Sequence, residues 1–180
     1  MMKKILKCSL LVLLVLLLFR GWLFQQLVTY HAVSELPAFA LSNQNLAQDI
    51  ENQQIDTSIQ NIVKRSLAFT ADHLCFTFEK CDTDPNLLVA SQKTNCVGYA
   101  AFFKMTCDAL LRKASLENRF QVKHLRGKLT MLGFDLHRLA SSSFFRDHDF
   151  NVVEDLKTGE KIHVDASTYD VLGIGYVSDL

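Results

Sequence analysis

The sequence predicts an α+β domain, and three observations carry the prediction. From Cys96 to about residue 113 the chain is apolar nearly all round the helical wheel, as expected of a helix buried at the centre of a domain. Three β-like segments follow: FQVKHLRGKLTM (120–131), FFRDHDFNVVEDL (144–156) and KIHV (161–164). Lys157-Thr158-Gly159-Glu160 separates the last two as a hairpin turn. One central helix followed by antiparallel strands is an α+β pattern.

The chain has 180 residues and 49% hydrophobic content, enough for one domain with a real core. Its formal net charge is zero, so no basic field argues for nucleic acid. No pair among the five cysteines has zinc-ligand spacing, and no metal or cofactor is expected.

The first thirty residues read as a separate unit. From Ile5 to Phe19 the only charge is Lys7, and the rest is mostly leucine and valine. A bilayer span needs about 20 apolar residues. The run reaches that length if Arg20 snorkels and Gly21-Trp22-Leu23-Phe24 continue the helix. The expectation is an uncleaved signal anchor over residues 1–30, contacting the membrane through residues 5–28. A cleaved signal and secretion are the alternative, although the first small-x-small pattern, Ala38-Phe39-Ala40, lies far downstream. Lys3, Lys4 and Lys7 precede the span and only Arg20 flanks its far end. That asymmetry predicts a single-pass protein with a cytosolic N-terminus and its domain on the periplasmic or extracellular side. Trp22 and Tyr30 would form the outer aromatic belt. Cys8 falls inside the span.

Residues 31–55 are polar, with Leu41, Leu46, Ile50 and Ile55 widely spaced, and read as a stalk or a loose amphipathic helix. The domain proper is expected over 56–180. Asp56-Thr57 can cap a helix whose face is Ile59, Ile62, Val63 and Leu67. Leu74 to Phe78 alternates like a strand, and the turn-rich stretch from Lys80, with Pro85, delivers the chain to Cys96. Cys75 and Cys81 are spaced to allow a disulfide in an oxidising compartment.

Two readings of Cys96 stand side by side. Thr94 and Asn95 are good N-cap residues, which places Cys96 in the first turn, where unpaired N–H groups and the helix dipole favour a thiolate. Free cysteine is also among the most buried residue types, so core packing has equal chemical standing. The hairpin adds a second consideration. His148 on its first strand and Asp165 at the end of its second can become neighbours across the turn. With Cys96 they would make a nucleophile, a base and an orienting carboxylate. His124, His137 and His163 read as structural, Cys107 as core filler, and Asp147 and Asp149 as solvated.

NCVGYAAFF, then HDFNVV, then VDAS resembles the transglutaminase-like superfamily. The matching residues are Cys96, Gly98, Tyr99 and Ala100; His148, Phe150 and Asn151; and Val164, Asp165, Ala166 and Ser167. The resemblance covers about residues 57–175 and implies a papain-like core in which the helix bearing the cysteine packs on an antiparallel sheet. It implies Cys96, His148 and Asp165 as catalytic, with Asn95, Gly98, Tyr99 and Asn151 as oxyanion or supporting residues. The chain departs from that pattern in having its one tryptophan, Trp22, far from these motifs, and Phe150 where a tryptophan is usual. The expected activity is thioester-forming attack on amide or peptide bonds, with hydrolysis favoured over transfer to an amine. Its substrate would be a peptide or protein, and a protein partner could complete a shallow cleft. The alternative is a non-catalytic module of the same fold that binds a peptide, a cell-wall component or a partner.

Overall fold

The computed structural model describes residues 9–10, 13–139 and 147–179. From Arg20 onward its α-helices are α1 (Arg20–Leu27), α2 (Gln44–Glu51), α3 (Ile59–His73), α4 (Pro85–Ser91), α5 (Cys96–Lys113) and α6 (Ala166–Leu172). Its strands are β1 (Val28–Glu35), β2 (Cys75–Phe76), β3 (Lys93–Thr94), β4 (Phe120–Met131), β5 (Phe134–Asp135), β6 (His148–Asp155), β7 (Lys161–Val164) and β8 (Ser178–Asp179).

The central helix follows from its sequence. The Asn95 side chain accepts the Val97 N–H and starts α5, while Arg112 and Lys113 meet the negative dipole at its end. Between those ends Tyr99, Phe102, Phe103, Leu110 and Leu111 are all but inaccessible to solvent. Burial of each such side chain contributes roughly 1.5–3 kcal/mol. One flank packs on α3 through Ile62, Val63, Leu67 and Phe69, the other on the sheet through Phe120, Val122, Val153 and Val164. The cap of α3 is Ser58, whose hydroxyl accepts the Asn61 N–H. The expected cap residue Asp56 instead accepts from the Ser58 N–H and the Asn61 amide, one step outside the helix.

The sheet runs β7-β6-β4-β1-β8, with β5 folded back on β4. The predicted hairpin is present: Asp155 accepts the Lys157 and Thr158 N–H groups, and Gly159 takes a positive φ of 77° at the turn. Its register pairs Asn151 with Val164 and Val152 with His163. One step beyond the last pair, Asp165 comes level with Phe150 and diagonal to His148, on the same face. The sheet then nearly closes on itself. Tyr176 bridges to Val164, the Val177 N–H donates to the His163 carbonyl, and β8 runs parallel to β1. Val28, Tyr30, Phe150, Val152 and Val177, drawn from around this ring, form a second apolar cluster inside it, with Phe24 packed against them.

The N-terminal expectations are overturned. Val28–Glu35 is a strand, paired antiparallel with β4 from Val28↔Met131 to Glu35↔Leu125, with a bulge between Ala32 and Ser34. Tyr30 is a core residue with 1% exposure, not part of an aromatic belt. In the segment read as a stalk, α2 buries Leu46 and Ile50 against the main core. Helix α1 belongs to the domain too. Its Gln25 donates to the Tyr176 carbonyl, and the Arg20 guanidinium lies so close to Gly173 that a Cβ there would sit 2.4 Å from it. Among the described residues no helix is long and apolar enough to cross a membrane. The single-pass anchor, its orientation and the localisation built on it therefore fall. Lys3, Lys4, Lys7 and Cys8 lie outside the described residues, as does the His137 side chain.

Cys75 and Cys81, whose spacing allows a disulfide, are free thiols in this structure. Cys75 is committed to the short parallel pairing of β2 with β3, opposite Lys93, and the Cys81 sulfur faces the Thr94 hydroxyl at 3.8 Å.

Gly127 faces His148 across β4 and β6, and β1 passes close over it. A Cβ there would lie 2.4 Å from the His31 carbonyl oxygen and 2.8 Å from the Phe150 ring. Backbone cannot yield as a side-chain tip can, so Gly127→Ala should cost about 1–3 kcal/mol. Denaturant unfolding checks this, and an unchanged midpoint would mean that β1 is not held this closely.

Candidate active site

Cys96 is the first residue of α5 and is 8% exposed. Gly98 allows the helix to start where it does. A Cβ at that position would fall 2.0 Å from the Thr94 hydroxyl, itself buried and donating to the Asp82 carbonyl at 2.8 Å. Tyr99 donates to Asp170 at 2.5 Å, tying the first turn of α5 to α6. Asn151 donates from Nδ2 to the Ala100 carbonyl at 3.0 Å and the Lys123 carbonyl at 3.2 Å, which fixes β6 under the same turn. Gly98, Tyr99 and Asn151 thus set the placement of Cys96 through packing and hydrogen bonds. The Asn95 carbonyl oxygen is used by the cap, and its amide nitrogen has no partner among the described residues.

His148 opens β6 with 16% of its side chain exposed, and Asp165 caps α6 with 1% exposed. His148 Nε2 donates to Asp165 Oδ2 at 2.5 Å. That leaves Nδ1 as the ring nitrogen not held by Asp165, and the Cys96 thiol lies close enough to the imidazole to favour its charged form. The structure therefore brings Cys96, His148 and Asp165 together.

Asp165 is buried and ionised because its surroundings compensate it. Oδ1 accepts from the Ser167 N–H at 2.9 Å, the Ser167 hydroxyl at 2.7 Å and the Thr168 N–H at 3.0 Å. Oδ2 accepts from His148 and from the Tyr30 hydroxyl, the latter at 2.8 Å. Burial works to raise the carboxyl's pKa, but the His148 charge and hydrogen bond, then Ser167 and Thr168, bring it down to about 2. For His148, burial favours the neutral ring. The Asp165 charge and hydrogen bond, then the contact with Cys96, outweigh it and hold the imidazole well above its ordinary value.

Tyr30 is the residue that sequence reasoning missed. Its ring meets His148 edge-on at 5.8 Å and Phe150 at 5.1 Å. Burial first, and Asp165 second, raise its pKa well above the usual phenol, so it stays a neutral donor. The signal was present in VTYHAV, where Val28, Tyr30 and Ala32 alternate with polar residues.

The assignment of one neighbouring residue changes, and that of another does not. Asp149 is not solvated: it is 2% exposed and accepts from His124 Nε2 at 2.8 Å, with Arg126 Nε 3.5 Å from its other oxygen. That trio faces away from His148 by strand alternation. Cys107 is fully enclosed, and burial pushes its thiol up to about 12, consistent with packing alone. Clefts of about 470 and 590 Å³ elsewhere on the domain are lined by residues such as Lys104 and Asp108, or Thr57 and Asp155, and neither includes Cys96, His148 or Asp165. Among the described residues no cluster of His, Cys, Asp and Glu could hold a metal ion. No protein-family model matches this chain, and no curated protein matches it.

The pair has a definite pH signature. The lowered Asp165 pKa gives stability that is complete above about pH 4 and lost as pH falls toward about 2. The raised His148 pKa gives stability that is complete below about pH 6.5 and lost as pH rises through its folded value. Asp165→Asn should therefore cost most stability between about pH 4 and 6.5, on the order of 2 kcal/mol, with the gap to the parent in melting temperature narrowing on both sides. Thermal melts across pH 2–10 test this, and a gap independent of pH would deny the ion pair.

Proposed function

We propose that this chain is a thiol enzyme of the transglutaminase-like kind, acting on amide or peptide bonds by hydrolysis. The observation that carries the reading is the His148 imidazole, gripped by Asp165 through Nε2, with Nδ1 left over and the Cys96 thiol near the ring. Nδ1 takes the thiol proton as the sulfur attacks the carbonyl carbon. The same proton then goes to the departing amine nitrogen as the C–N bond breaks and a thioester forms. Water enters, gives its proton to His148 and attacks the thioester, releasing an acid and returning the thiol. The Cys96 backbone N–H, in the unpaired first turn of α5, and the free amide nitrogen of Asn95 are the candidate oxyanion donors.

A peptide or protein is the substrate class, and a protein partner could complete the cleft. The second reading, a non-catalytic binding module, is favoured by one observation, the 8% exposure of Cys96. Alkylation of the full chain by iodoacetamide, resolved to Cys96 by peptide mapping, separates them. Enzyme chemistry calls for rapid modification of Cys96 below pH 7, slowed about tenfold or more in His148→Ala. Slow modification indifferent to His148 would leave the binding module as the better reading. Once a substrate is in hand, His148→Ala should lower kcat/KM by about 10²–10⁴-fold. Products partitioning mainly to an added amine would replace hydrolysis with transfer.

A further inference from the structure

We propose that Tyr30 is a positioning residue that tunes His148 through their shared acceptor, Asp165 Oδ2. The inference rests on the thiol-enzyme reading for its purpose, but its geometry stands separately. The three donors on Oδ1, from Ser167 and Thr168, already fix the carboxylate's orientation as the cap of α6. Tyr30 is not needed for that. Its hydroxyl instead takes the oxygen that His148 uses, at 2.8 Å against 2.5 Å. A neutral donor on that oxygen draws off part of the charge available to the imidazolium. Tyr30 thereby restrains the basicity that Asp165 confers on His148. A base held too strongly protonated would be slow to return its proton to the leaving amine.

Among the described residues, few other groups are placed to do this. His148 faces Asp165 from the β7–α6 junction, Tyr30 from β1 and Cys96 from α5. Gly127, opposite it on β4, has no side chain. Of its neighbours on β6 and just before, Asp149 is turned to the far face and paired with His124 and Arg126, and Asp147 is exposed. The tyrosine ring packs against Phe24, Phe150 and His148, and its hydroxyl donates to Asp165 with the Thr168 side chain beside it.

The test is the titration of the His148 ring nitrogens by NMR in the full chain, with the alkylation profile of Cys96 beside it. Tyr30→Phe keeps the packing and removes the donor, and should raise the His148 midpoint by about half a unit or more. Ser167→Ala removes a donor from the other oxygen and should raise it less. Incorporating 3-fluorotyrosine at position 30, a stronger hydrogen-bond donor, should move the midpoint down. An unchanged or lowered midpoint in Tyr30→Phe overturns the proposal, as does an upward shift with fluorotyrosine. The histidine titration reads Tyr30 whether or not Cys96 turns over a substrate. Failure of the thiol reading shows separately, as alkylation of the parent that ignores His148.

Discussion

A carboxylate with 1% exposure is the constraint around which this domain is arranged. An ionised group removed from water must recover its hydration from the protein, and an unpaired one would cost several kcal/mol. Asp165 recovers it with five hydrogen bonds from three parts of the chain: the start of α6, the head of β6 and the middle of β1. Those parts cannot move independently without stripping a buried charge of its partners. The near closure of the sheet serves the same end, since it brings β1 round to face the β6–β7 hairpin from within.

The helix and hairpin were legible in the sequence because their signals are local. An apolar stretch after Asn95 needs no tertiary context to be read as a buried helix, and the Thr158-Gly159 turn fixes the register that puts Asp165 diagonal to His148. The first strand was not legible for a physical reason. VTYHAV follows directly on a leucine-rich run, and hydropathy averaged over a membrane-length window swamps a six-residue alternation. Arg20 was read as an end of the apolar run, yet it packs on the glycine that ends α6. That contact joins residues far apart in the chain, and no local pattern announces it. Asp149 was misjudged similarly: its partner His124 lies on another strand, and only the pairing of β4 with β6 brings them together.

The supporting residues show how a motif mixes chemistry with carpentry. Gly98 is where a side chain would strike Thr94, Tyr99 reaches Asp170, and Asn151 staples a strand to the helix carrying Cys96. Each lies close to the cysteine or histidine in sequence and acts on the site by holding elements in place. The polar group that acts most directly on the pair, the Tyr30 hydroxyl, came from outside all three motifs.

The Tyr30–Asp165 hydrogen bond spans 135 residues. Contacts of such separation form late, because so much chain must be ordered before they can be made. During synthesis Cys96 emerges well ahead of His148, and both precede Asp165. A partly made chain therefore carries its cysteine without His148 beside it, and the carboxylate gains its last donor only as the ring of strands closes. On the thiol-enzyme reading proposed above, completion of the sheet would act as a safety catch, bringing His148 and Asp165 to the thiol only in a chain that has finished folding.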